Sequence, residues 1–334
     1  MTLGQLPDTL IRAWRSHLVA PRPQPRRRRP PAKPCVVCGS VSATRLFVSD
    51  GFVFFLCPTC DVVFVDGARE FNRPEELFSR EYFTDGGAGY PGYIEDEAVH
   101  RRQAGVYFRR LERYGILPAS GGRLLDVGCA AGFVVDEANK RGWRASGCDV
   151  SEYMVSFARD TLGLDVVRAE FLNTPFEPAS FDVITMFAVL EHLPLAREAA
   201  QRAYDLLRPG GALVIETWDR RSLLSRALGS RWHVYAPPTT LYYHSRRSLQ
   251  HLFGHDRWDS VAYGPSVKWI TLRHAGGALD HAARSLGLHA GHLVDRFPMT
   301  NMALPYALGD LVFAVFRRRE AVGRGTGQGA LTAA

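Results

Sequence analysis

No apolar run in this chain is long enough for a membrane-spanning helix, and the first 20 residues are too polar and too charged for a secretory signal. Internal repeats are absent, which excludes a solenoid or propeller. Charge is scarce where it would matter for nucleic acid. Residues 1–34 hold eight basic side chains against Asp8, and that net +7 equals the formal charge of all 334 residues. Residues 35–334 are therefore neutral, and no nucleic-acid partner is expected. Cysteine is sparse as well, six in the chain. Without an export signal a disulfide framework is disfavoured, and a reducing cytoplasm is the expected setting.

What is present begins with a leader. Residues 6–20 have the spacing of a short helix, and residues 21–34 (PRPQPRRRRPPAKP) read as a stiff, solvated linker. Two readings of residues 1–34 stand: a disordered leader, or a peripheral contact with an anionic membrane surface or acidic partner. Four cysteines then form two CxxC knuckles, Cys35/Cys38 and Cys57/Cys60, separated by a strand-rich stretch. That spacing matches a zinc ribbon over residues 35–66, with four thiolates closing one tetrahedral, structural Zn2+ site. A redox role for either CxxC is the minor alternative.

The chain is organised around residues 123–132, RLLDVGCAAG. Leu124, Leu125 and Val127 suit a buried strand, which breaks at Gly128 and reopens after Gly132 with helical spacing. A strand, a small-residue turn and a helix N-terminus make a cradle: a ligand approaches the backbone closely and meets free amides. A ligand-free packing turn is the plain alternative. Residues 143–151 read as a second strand ending in Asp149, about 20 residues on, where a dinucleotide-type fold places the carboxylate for ribose hydroxyls. The turn lacks the lysine of a P-loop, which argues against an ATPase.

Three further segments follow: 168–176 (RAEFLNTPF), 180–193 (SFDVITMFAVLEHL) and 206–218 (LLRPGGALVIETW). In this order the chain resembles the class I S-adenosylmethionine-dependent methyltransferases. The family turn D-x-G-x-G-x-G stands here as Asp126-Val-Gly128-Cys-Ala130-Ala-Gly132, with Ala130 replacing the middle glycine. The resemblance implies an α/β, doubly wound, mostly parallel seven-stranded Rossmann-like sheet over residues 116–320. It also implies a cofactor site of Asp126, Gly128, Cys129, Gly132, Asp149, Val150, Glu170, Phe171 and Phe187. Glu170 falls five residues before Pro175, where the family acid meets the adenine amino group; Glu replaces the commoner Asp.

A cysteine ribbon before such a domain resembles a subgroup with an N-terminal zinc-binding module. In that subgroup the following segment, 67–115 here, caps the cofactor. Tyr82, Tyr90 and Tyr93 are then candidates for lining the entrance, or else they pack between ribbon and core. The subgroup implies a small-molecule acceptor, a sugar, glycan precursor or other secondary metabolite, and oxygen is the acceptor atom expected here.

Methyl transfer from a sulfonium already has a strong electrophile, so the protein aligns the nucleophile and removes its proton. His192, after the fourth strand, is the natural base; Glu191 would hold its tautomer or contact substrate. The alternative is that the Glu-His pair fixes its loop. Beyond the fifth strand the chain turns aromatic. Trp218, Trp232, His233, Tyr243 and His244 suit a substrate lid, or equally a hydrophobic cover on the sheet. Thr240 stands where relatives carry a histidine. Residues 258–263 and 309–316 read as the last strands, 272–309 as a helical excursion, and 321–334 as a disordered tail. His274, His281, His289 and His292 are expected at scattered surface positions. The ribbon and the excursion each offer a surface to a second copy. Two rival functions stay open: a nicotinamide (NAD) oxidoreductase, and a non-catalytic cofactor-binding scaffold.

Overall fold

The computed structural model describes residues 33–71, 73–84, 89–254, 256–275 and 302–320. The leader helix expected in residues 6–20, most of the excursion with His281, His289 and His292, and the tail lie outside them.

Strands β1 (Thr44–Ser49) and β2 (Phe52–Leu56) form a hairpin between the two cysteine knuckles, and β3 (Val63–Val65) pairs with β2. The hairpin turn is Asp50-Gly51, with φ of 49° and 81°, the left-handed pair that an Asp-Gly turn supplies. Two short helices follow, α1 (Pro74–Leu77) and α2 (Arg80–Thr84), then the long helix α3 (Glu97–Arg113). The buried face of α3 carries Val99, Gln103, Ala104, Tyr107, Phe108 and Leu111, and its arginines fall on the other side.

The main sheet is laid down by β4 (Arg123–Val127), α4 (Phe133–Lys140), β5 (Arg144–Asp149), α5 (Glu152–Ser156) and β6 (Val166–Arg168). The chain then crosses to β7 (Phe181–Phe187), α6 (Ala196–Leu206) and β8 (Leu207–Trp218) on the other side of β4. After β8 come α7 (Leu223–Leu228), β9 (Tyr242–Tyr243), α8 (Arg246–Leu252), β10 (Trp258–Pro265), β11 (Lys268–Thr271), β12 (Ala303–Tyr306) and β13 (Leu311–Arg318). The seven-stranded order is β10-β13-β8-β7-β4-β5-β6. The five strands from β8 to β6 are parallel; β13 runs antiparallel to both β8 and β10. Their continuous apolar runs, such as Leu213, Val214 and Ile215, are what a sheet covered on both faces demands. Because the winding reverses between β4 and β7, a crevice opens beyond their C-terminal ends.

Two sequence expectations change here. Ala303–Tyr306, inside the expected helical excursion, is instead a strand paired with β11 in a separate two-stranded sheet. The ribbon is also not a self-contained unit of residues 35–66. Its fourth strand is β9, which pairs with β3 through Val63↔Tyr243 and Phe64↔Tyr242. Trp232, Val234, Leu241, Tyr242 and Tyr243 are buried in one cluster with Phe52, Phe54 and the knuckle cysteines. A segment this small cannot bury a core of its own, and it borrows one from the body of the protein.

Asp61 joins the two parts. It accepts from Arg220 at 2.5 Å and from Arg221 at 2.7 Å, while Ser245 Oγ donates to its carbonyl at 3.1 Å. Burial opposes ionisation of Asp61, but the Arg221 hydrogen bonds and the charge of Arg220 outweigh it and hold the carboxyl below its ordinary value.

Candidate active site

The crevice holds a cavity of about 680 Å³, within the range of small-molecule sites. Its floor is the turn after β4. Gly128 has φ 66°, and a Cβ there would sit 2.5 Å from Val189 Cγ2. Ala130 also takes a left-handed φ of 45°, a conformation that glycine adopts freely and alanine does not. Asp149, at the end of β5, accepts from the Ala130 amide at 2.9 Å and from the Ser151 amide at 2.8 Å. Burial nonetheless pushes its carboxyl above the ordinary value, against the pull of those two amides. Asp126, beneath it, accepts from Thr185 Oγ1 at 2.6 Å and is pushed up to about 7 by burial, with the Asp149 charge adding to the rise.

Asp126, Gly128, Cys129, Asp149, Val150, Glu170, Phe171 and Phe187 all line this cavity. Gly132 does not. It caps α4 at φ 80° and packs against Ala158 and Leu164, so its role is a tight turn, not ligand contact. Cys129 and Cys148 are buried, which raises both thiols above their ordinary pKa and leaves them inert.

The roof comes from the cap. Tyr82, Tyr90 and Tyr93 line the cavity beside Phe78 and Phe83, and Tyr93 stacks on His100 with ring centroids 3.9 Å apart. His192 lies in the wall. Its Nδ1 is 2.5 Å from the Thr239 carbonyl oxygen, which can only accept; Nδ1 therefore carries a proton, and in the neutral ring the lone pair falls to Nε2. This changes the expectation for Glu191, which lies behind the wall and does not line the cavity. Its Oε2 accepts from Thr217 at 2.8 Å, so Thr239 and not Glu191 fixes the His192 tautomer.

The aromatic segment divides in two. Trp218 and His233 line the cavity. Trp232, Tyr243 and His244 do not: Trp232 donates to Asp310 at 3.0 Å, Tyr243 to the Thr240 carbonyl at 2.9 Å, and His244 sits 3.2 Å from Ser248 Oγ, all three buried. Trp232 and Tyr243 cover the ribbon sheet, His244 packs at the start of α8, and none of them faces the cavity. An alternation of buried aromatics carries no sign of which neighbour buries them.

Other lining residues escaped the sequence reading. His100, Gln103 and Tyr107 face the cavity from α3 at helical spacing, and Lys268 and His274 face it from β11 and just beyond. His274 is therefore not a scattered surface histidine. The signal for the first three was available: polar residues at i, i+3 and i+7 on an otherwise apolar face.

Outside the cavity, the thiol sulfurs of Cys35, Cys38, Cys57 and Cys60 all lie within 4.8 Å of one another, with Cys35–Cys60 at 3.5 Å and Cys38–Cys57 at 3.6 Å. Four sulfurs at Zn–S of about 2.3 Å on a tetrahedron stand about 3.8 Å apart, so the set fits zinc. The hydrogen bond between Cys60 and Cys35 lowers the Cys35 thiol and raises that of Cys60, so the pair shares a proton that a bound metal would displace.

A methyltransferase-domain family profile matches residues 99–256. A ubiquinone biosynthesis O-methyltransferase of Azoarcus sp. is 33% identical over 107 residues, 30% of this chain and 46% of that protein. A probable S-adenosylmethionine-dependent methyltransferase of Mycolicibacterium smegmatis is 30% identical over 131 residues, 39% of this chain and 49% of that protein. The chain thus spans about half the length of the curated relatives it matches. The solved YcgJ protein of Bacillus subtilis is 16% identical, covers 66% of this chain and 100% of its own, and superposes with a TM-score of 0.49.

Proposed function

We propose, from the premise that this chain belongs to the class I S-adenosylmethionine-dependent methyltransferases, that it methylates a hydroxyl oxygen of a small molecule. S-adenosylmethionine, when bound, supplies a methyl group on a sulfonium, an electrophile that needs no further activation. The chain's own residues do the rest. Asp149, held by two backbone amides, offers its carboxylate edge to the ribose hydroxyls. Gly128 lets the backbone come close to the ligand, and Glu170 with Phe171 takes the adenine end. The tyrosine roof and Phe78 keep water from the reacting atoms, and their faces suit a flat acceptor such as a sugar or aromatic ring. His192 Nε2 takes the acceptor's hydroxyl proton.

One observation carries this reading. The imidazole whose free nitrogen is fixed by Thr239 opens into the same cavity as the amide-held Asp149. The relatives' printed name, ubiquinone biosynthesis O-methyltransferase, agrees with an oxygen acceptor. For the knuckles we propose a structural Zn2+ held by Cys35, Cys38, Cys57 and Cys60, with all four positions filled by protein. Among the described residues no helix is long and apolar enough to cross a membrane. With free thiols at the knuckles, we place the protein in the cytoplasm.

The test is transfer of labelled methyl from S-adenosylmethionine to a panel of hydroxylated sugars and phenols, in wild type and Asp149→Ala. Label is expected in product with wild type only. S-adenosylhomocysteine binding without transfer to any acceptor would favour the scaffold reading. No binding by folded protein would sink methyl transfer and make NAD(H) the next ligand to titrate.

A further inference from the structure

The end of the cavity built by α3 and β11 differs in chemistry from the rest, and methyl transfer leaves it unused. Of the 41 lysines and arginines only Lys33, Lys140 and Lys268 are lysines. Lys33 pairs with Asp66 and Lys140 with Asp136. Lys268 lines the cavity, and its ammonium has no hydrogen bond or ion pair among the described residues. The carboxylate that influences it, Glu216, has both oxygens occupied, accepting from Tyr107 and from Ser266 at 2.5 Å each.

Lys268 is also held in place. Gln103 of α3 donates to the Val267 carbonyl at 3.3 Å and accepts from the Trp269 amide at 2.9 Å, clamping the backbone on both sides of the lysine. Trp269 turns the opposite way, under the guanidinium of Arg102 at 3.3 Å, and strand alternation sends Lys268 into the cavity. Around it stand His100 and His274, the latter stacked on Tyr90 at 4.3 Å. His100 Nε2 and the Tyr90 hydroxyl are buried with no hydrogen bond among the described residues; the Asp96 carboxylate beside Tyr90 is taken up by Thr271 at 3.0 Å and Arg273 at 2.7 Å. Burial and the Lys268 charge keep His100 at about 3 and His274 at about 4, so both imidazoles are neutral near pH 7, each with one N–H to offer.

One ammonium, two neutral imidazoles and a phenol, with no free carboxylate among them, make a receptor for an anion. We propose that Lys268, with His100, His274 and Tyr90, binds a carboxylate or phosphate group carried by the methyl acceptor. The proposal rests on the methyl-transfer reading and narrows its substrate class to anionic hydroxyl compounds. Asp149 and Glu170 at the other end repel the same group, so the charge pattern also orients the acceptor.

The experiment is calorimetric titration of the S-adenosylhomocysteine-saturated protein with two matched pairs: 3,4-dihydroxybenzoate against catechol, and glucose 1-phosphate against glucose. The pairs separate a carboxylate source from a phosphate source. The charged member of at least one pair is expected to bind about tenfold tighter than its neutral partner, and Lys268→Met to bring the ratio within about twofold. S-adenosylhomocysteine affinity should not change, which also reports that the variant is folded. If the Met variant does not fold, Lys268→Gln carries the same comparison.

A wild-type ratio within about twofold, or no binding by any of the four probes, overturns the proposal. So does a preference that survives the substitution. Loss of S-adenosylhomocysteine binding by folded Lys268→Met would give the lysine to the cofactor's own carboxylate, and overturns it too. Failure of wild type to bind S-adenosylhomocysteine is separate: it removes the methyl-transfer reading, and the subsite falls with it.

Discussion

His192 Nδ1 lies 2.5 Å from the carbonyl oxygen of Thr239, a residue 47 positions further along the chain. That hydrogen bond sets the tautomer and leaves Nε2 as the free base. His192→Asn should lower kcat by about 10²–10⁴-fold, the usual worth of a positioned base, with S-adenosylhomocysteine affinity unchanged. Parallel kinetics and calorimetry decide the matter: equal losses in both would make His192 a fixing residue for the loop.

Gly128 and Gly132 should respond differently to one added methyl group. The new Cβ would lie 2.5 Å from Val189 Cγ2 in Gly128→Ala and 2.6 Å from Leu164 Cδ1 in Gly132→Ala. Each substitution should cost about 1–3 kcal/mol in denaturant unfolding. Only Gly128→Ala should also weaken S-adenosylhomocysteine binding, since Gly132 does not face the cavity. Ala130→Gly runs the other way: relief of a φ of 45° should stabilise by up to about 1 kcal/mol, after the entropy that glycine adds to the unfolded chain.

Chelation should loosen more than the knuckles. Because β9 closes the ribbon sheet, amide exchange in Tyr242 and Tyr243 should accelerate together with residues 35–60 once zinc is verified as removed. Protection of β9 that outlasts the loss at the cysteines would show the sheet standing without the metal.

Acid should weaken the contact between ribbon and body. The folded Asp61 pKa is depressed, so its stabilisation is fully present above the unfolded value of about 3.9 and fades as pH falls through the lower folded value. Asp61→Asn should therefore cost about 1–3 kcal/mol at pH 7 by leaving two arginines with one neutral acceptor oxygen in place of a carboxylate. That deficit should shrink steadily below pH 4 in urea unfolding; a pH-independent deficit would assign the effect to packing.

The parts of this molecule that sequence made legible are those whose signal is local. The β4 turn, the Asp149 strand end and the two CxxC knuckles each combine residue type with short spacing, and the seven-stranded, mostly parallel sheet is what the family resemblance implies. What stayed hidden is long-range. Nothing near Tyr243 says that its neighbour is Val63, and an aromatic buried against a ribbon looks like one that faces a substrate. Gln103 meets Val267 and Trp269, the neighbours of Lys268, across 164 and 166 positions, so that clamp lies in the folded chain alone. Glu191 was misplaced for a related reason: adjacency in sequence put it beside His192, whereas the turn at residues 190–192 sends the two side chains to different surroundings.

The sheet that carries the cysteines has one more consequence, for the order in which the protein can be made. Its last strand and the Ser245 hydrogen bond to the Asp61 carbonyl, spanning 184 positions, do not exist until most of the large domain has left the ribosome. The ribbon, translated ahead of the strand that closes its sheet, is thus among the last parts completed. Until then Val63, Phe64 and Val65 present an open, apolar strand edge, a surface that newborn chains must shield from one another.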